Sequence, residues 1–71
     1  MNLRLKTKII ASGMPQIALA RELEIREELL SKIVNGWIAP KDELKTKIAG
    51  ALGCRVADIF PENDRRQAHN G

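Results

Sequence analysis

Apolar positions recur along this chain at spacings of three and four residues, and glycine and proline cut the pattern into short lengths. The first length, Asn2 to Ser12, sets Leu5, Ile9 and Ile10 in one stripe beside polar Arg4, Lys6 and Lys8. It stops at Gly13, a natural left-handed cap. The second, about Gln16 to Leu23, groups Leu19, Ala20 and Leu23. The third, about Glu27 to Asn35, aligns Leu30, Ile33, Val34 and Trp37 and ends at Asn35-Gly36. The fourth, about Asp42 to Leu52, aligns Leu44, Ile48 and Leu52 and stops at Gly53. A last turn, Val56 to Phe60, closes against Pro61. No stretch alternates with period two, so no strand is predicted. The pattern predicts an all-α fold, five short helices around one core over residues 1–61. A polar, unpatterned C-terminal tail, residues 62–71, is expected to be flexible and disordered.

Composition narrows the possible chemistry. Seventy-one residues allow one small domain, whose core alone supplies only about 3–5 kcal/mol. The usual staples are missing, because a lone Cys54 forms no internal disulfide and Cys54 with His69 cannot complete a zinc site. No metal and no cofactor is expected. With Trp37 and Phe60 as the whole aromatic complement, a stacking platform for single-stranded nucleic acid is not available. The hydroxyls of Thr7, Ser12, Ser31 and Thr46 have no histidine to act as base within the folded part, and no Gly-rich phosphate loop is present. The chain is therefore not expected to be an enzyme.

The longest apolar run, Ile17 to Ala20, falls far short of the roughly 20 residues that span a bilayer. Basic Met1 to Lys8 lacks the apolar stretch that would make it a signal peptide. The expected location is the reducing cytoplasm. Net charge is +3, concentrated in Arg4, Lys6 and Lys8, with no acid before Gln16. This mild basic excess suits a polyanion partner without demanding one.

The second and third lengths are joined by only three or four residues around Glu24-Ile25-Arg26. So short a link forces two helices to pack at a steep angle, and small Ala20 suits their closest approach. That is what a helix-turn-helix requires: one helix braced across the phosphate backbone and a second entering the major groove.

Gln16-Ile-Ala-Leu-Ala20, then Leu30-Ser-Lys-Ile-Val-Asn-Gly36, Lys47-Ile-Ala-Gly-Ala-Leu-Gly53 and a closing Val56-x-x-Ile59-Phe60 resemble the phage repressor/Cro (XRE) helix-turn-helix family. The likeness covers about residues 3–60. It implies a compact five-helix repressor-like domain that regulates transcription by binding double-stranded operator DNA as a homodimer, with half-sites about 34 Å apart. By the same resemblance Arg26, Glu27, Glu28, Ser31 and Lys32 fall at base-reading positions, while Gln16, Asn35 and Lys41 fall at phosphate-contacting ones. Positions 27, 28, 31, 32 and 35 also share the polar face opposite Leu30, Ile33 and Val34. Arginine or lysine there can donate to guanine, and glutamate can accept from cytosine.

The departures from that pattern carry their own expectations. Glu24 stands where the family usually has glycine, and a left-handed conformation there would cost roughly 1–2 kcal/mol. Pro15, Arg26 and Lys41 stand where a Ser or Thr often caps a helix. Ile9 and Val34 replace an arginine–glutamate pair, an apolar contact in place of an ionic one.

Plainer roles compete with the functional ones. Glu27 and Glu28 suit the positive end of a helix whether or not they read a base. Arg4, Lys6 and Lys8 make either a solvated face or phosphate contacts. Trp37 either caps the core beside Val34 or stands at a dimer surface with Ile38, and Cys54 reads as a small helix-end residue. The acids on the reading face keep open an alternative: a protein-interaction module on the same fold, such as an antitoxin gripping a toxin partner.

Overall fold

A computed structural model describes residues 1–61; the expected tail and His69 lie outside the described residues. Five helices follow one another: α1 (Leu3–Ser12), α2 (Gln16–Glu22), α3 (Glu27–Val34), α4 (Asp42–Leu52) and α5 (Val56–Ile59). No strand occurs among the described residues, and the fold is all-α. The ends fall within a residue of the positions marked by glycine and proline.

Asn2 starts α1. Its backbone is extended, and its Oδ1 accepts from the Leu5 N–H at 3.0 Å, satisfying one of the donors a helix start leaves open. By contrast Pro15, Arg26 and Lys41 cap α2, α3 and α4 without any side-chain hydrogen bond, as their chemistry dictates. The negative residues Glu27, Glu28, Asp42 and Glu43 compensate in the first turns of α3 and α4. At α5 the Asp58 carboxylate accepts from the Arg55 N–H at 2.9 Å and from its guanidinium at 3.1 Å.

Helices α2, α3 and α4 all end in the same way. A left-handed residue follows the cap in α2 and α3 and is itself the cap in α4, and the next N–H reaches back five residues: Ile25 to Ala20, Trp37 to Lys32 and Cys54 to Ala49. Gly36 and Gly53 fill that left-handed position for α3 and α4. For α2 it is filled by Glu24, with φ 60°, and no other non-glycine described residue has positive φ.

The core gathers Leu5 and Ile9 from α1, Leu19 and Ala20 from α2, Leu30, Ile33 and Val34 from α3, and Ile48 and Ala49 from α4, with Leu23, Ile59 and Phe60. Helix α2 packs against α3, while α5 packs against both α1 and α4. Burying a side chain of Leu or Ile size stabilises by about 1.5–3 kcal/mol. Ile9 and Val34 are both buried in this core.

Three expectations from the pattern are corrected. Ile10 leaves the α1 stripe and is exposed, because Leu5 and Ile9 sit four apart on the buried line and Ile10 turns about 100° away from it. In α4 the buried line runs through Lys45, Ile48 and Ala49, leaving Leu44 and Leu52 half-buried. Lys45 is only 3% exposed, and its Nζ lies 5.3 Å from the Phe60 ring centre, a cation–π placement. Trp37 does not cap the core. The place beside Val34 is taken by Asn2, whose backbone N–H donates to the Val34 carbonyl at 2.8 Å, and Trp37 stands in solvent.

Candidate nucleic-acid interface

The candidate site is built from the α2–α3 pair. Residues 23–26 join the two helices, and the turn is closed by Leu23 donating to Leu19, Glu24 to Arg21 and Ile25 to Ala20. Leu19, Ala20, Leu23, Leu30, Ile33 and Val34 point inward, so the opposite face of α3 is left to solvent. Arg26, Glu27, Glu28 and Lys32 are all exposed on it. None of these four forms a side-chain hydrogen bond or ion pair with another described residue. Glu28 and Lys32 stand four apart, the spacing of a helix ion pair, yet they are not joined. Their donors and acceptors remain available to a ligand.

Ser31 and Asn35 behave differently. Both are half-buried, and the Asn35 Nδ2 donates back to the Ser31 carbonyl at 3.0 Å and, at 3.5 Å, toward its hydroxyl. The polar edge of α3 at its C-terminal end is thus partly self-satisfied, whereas its N-terminal half is open. The outward set of charges, Arg26 and Lys32 with Glu27 and Glu28, is balanced.

The remaining sequence-selected residues frame this face. Lys41 caps α4 and shares a shallow groove with Leu23, Glu24, Ile25 and Lys47. Lys47 was not singled out by the sequence. Its only signal is the i, i+4 spacing with Glu43, which places both on one side of α4 but does not say what that side meets. Gln16, half-buried, opens α2 and lies in a different groove beside Lys6, Ile10 and Met14. Lys6 therefore accompanies Gln16, and Lys41 and Lys47 accompany the turn.

Two other groups bear on chemistry. Partial burial pushes the Cys54 thiol up from its usual value, with Lys8 pulling it back down. No group of three or more His, Cys, Asp or Glu side chains that could hold a metal occurs among the described residues. Nor is any helix there long and apolar enough to cross a membrane. No family model matches the chain, nor does any curated protein or solved structure.

Proposed function

We propose that this protein is a sequence-specific double-stranded DNA-binding transcriptional regulator of the repressor/Cro type, with α3 in the major groove. The observation that carries this reading is the exposed half of α3, where Arg26, Glu27, Glu28 and Lys32 project without partners from a helix braced by α2. A helix presents side chains to base edges in just this way when its partner helix lies across the backbone. Lys32 and Arg26 supply donors for guanine O6 and N7, and the carboxylates supply acceptors for cytosine N4. Lys6 with Gln16, and Lys41 with Lys47, supply the flanking phosphate contacts. No step of chemistry is involved, and no cofactor is required for it.

Selection of bound sequences from random duplex DNA at fixed salt tests this reading. The expected result is a short consensus whose binding weakens steeply with salt, by about 10³–10⁵ between 50 and 200 mM if 6–10 phosphates are neutralised. Recovery of no consensus, with a flat salt dependence, would overturn it. The balanced charge on the reading face favours a second reading, a helix face that grips a protein partner in the manner of an antitoxin. Binding to such a partner that is abolished by Lys32→Ala, with DNA binding undetectable, would select that alternative.

A further inference from the structure

An open groove of about 480 Å³ lies between the start of α1, the α3–α4 link and the end of α5. That volume falls within the roughly 300–1,000 Å³ of small-molecule sites. Neither Arg26, Glu27, Glu28 nor Lys32 lines it, so it is separate from the α3 face described above. Buried Ile33 and Phe60 form its floor, and exposed Leu3 and Ile38 with half-buried Pro40 and Pro61 form its rim. Such walls suit a hydrocarbon body.

The charge around the groove has one sign. Arg4 stands on its wall, exposed, without a hydrogen bond or ion pair to another described residue. No acid lines the groove among the described residues. The Asn2 side chain there is already engaged, its Oδ1 by the Leu5 N–H and its Nδ2 by the Ile59 carbonyl. Lys45 adds a second cation. It is 3% exposed, its Nζ lies 5.3 Å from the ring centre of Phe60 in the floor, and no described carboxylate pairs with it.

We propose that this groove binds a medium-chain monocarboxylic acid, its hydrocarbon body over Ile33 and Phe60 and its carboxylate on the Arg4 guanidinium. The site does not depend on the DNA reading. Apolar walls alone would accept any oily molecule, and the one-signed charge selects an anion. A guanidinium takes a carboxylate through two parallel N–H bonds. A buried ammonium without a carboxylate adds an attraction that apolar protein screens weakly. Inorganic phosphate would leave the floor uncovered. A second copy of the chain docked groove to groove would bring Arg4 and Lys45 of both chains together, like charges with no acid between them.

Calorimetric titration of the full chain with hexanoate, octanoate and decanoate, each below its micelle concentration, tests the proposal. Each added pair of methylenes should tighten binding by about threefold to tenfold. Octanoate should bind more tightly than 1-octanol. Arg4→Gln should weaken octanoate by about threefold to tenfold and leave 1-octanol unchanged, which also shows that the variant is folded. Lys45→Met, which keeps an apolar chain over Phe60, should shift the two ligands in the same unequal way. Ile38→Ser should weaken both. Amide shifts on titration should centre on Gly36, Ile38 and Phe60. No saturable binding by any of the three acids would overturn the proposal, as would equal affinity for octanoate and 1-octanol. Shifts centred on Gly13 and Met14 would move the ligand to the groove beside Gln16 and overturn it too. Saturation seen only in a Glu62→Gln, Asp64→Asn variant would give the groove to the chain's own acids. A dimer that sediments with no acid bound and is lost in Ile38→Ser would give it to a second copy. Either result overturns the assignment.

Discussion

The Nδ2 of Asn2 donates to the carbonyl of Ile59 at 2.7 Å, across 57 residues of chain. The same side chain caps α1 through Oδ1, and the same residue's N–H meets Val34 at the end of α3. One asparagine thus joins the start of α1 to α3 and α5. Asn2→Ala removes the cap and leaves the partly buried Ile59 carbonyl without this donor, and should destabilise by about 1–3 kcal/mol. Asn2→Asp keeps the cap acceptor but sets a carboxylate against the carbonyl, so it should not restore stability. Urea midpoints of the two variants check this: a wild-type midpoint for Asn2→Asp would mean that the Ile59 bond contributes nothing.

Two glycine substitutions should act in the same direction for different reasons. Glu24→Gly relieves the Cβ strain of φ 60° and should stabilise by up to about 1 kcal/mol, offset partly by the greater entropy of the unfolded chain. Gly50 lies inside α4, and a Cβ added there meets nothing within 4 Å, so Gly50→Ala should stabilise by about 0.5–1 kcal/mol. Thermal melts of both variants and their double mutant test the pair. A drop in melting temperature for Gly50→Ala would show that α4 is crowded at this point.

Stability should fall on the acid side through Asp58. The Arg55 backbone N–H, then its guanidinium, holds this carboxyl below the usual value of 3.8. Below that value the unfolded chain binds the proton first, so stability rises with pH across the window. The contribution is complete above the ordinary carboxylate value and is lost as pH falls through the folded one. Asp58→Asn should therefore be less stable than the parent at neutral pH, with the difference closing as pH drops from about 5 to about 2. A difference that stays constant over that range would assign the effect to packing of α5 instead.

Lys32 and the two glutamates should separate by the kind of DNA binding they change. Lys32→Ala should cost about 1–3 kcal/mol and relax preference at one base position. Glu27→Gln and Glu28→Gln each remove a carboxylate that repels phosphate, so non-specific affinity should rise for both. Specific affinity should fall for whichever carboxylate accepts from a cytosine, and rise for one that only repels. Anisotropy titrations against consensus and scrambled duplexes distinguish these roles. Non-specific affinity unchanged in both glutamate variants would place them away from the DNA.

Local chemistry was enough to fix the helices. Glycines 13, 36 and 53 and prolines 15 and 61 mark their ends, because left-handed turns and missing donors are properties of single residues. The inward Leu5, Leu19, Leu30, Ile33 and Ile48 followed from 3.6-residue spacing, whereas the strained turn at Glu24 was expected only from the resemblance, which puts glycine there. The polar face of α3, with Arg26, Glu27, Glu28 and Lys32, was legible for the same reason: it is what remains when the apolar face is assigned. Contacts between distant segments were not legible, since periodicity says which side of a helix is buried but not against what. Asn2 bonds to the Val34 carbonyl while Trp37 stands in solvent, Lys45 is buried over the Phe60 ring, and the Glu24 turn shares a groove with Lys41 and Lys47. Each depends on where α4, α5 and the first residues of the chain settle around a shared core. That is decided by how five short helices fill one volume together, which no single segment specifies.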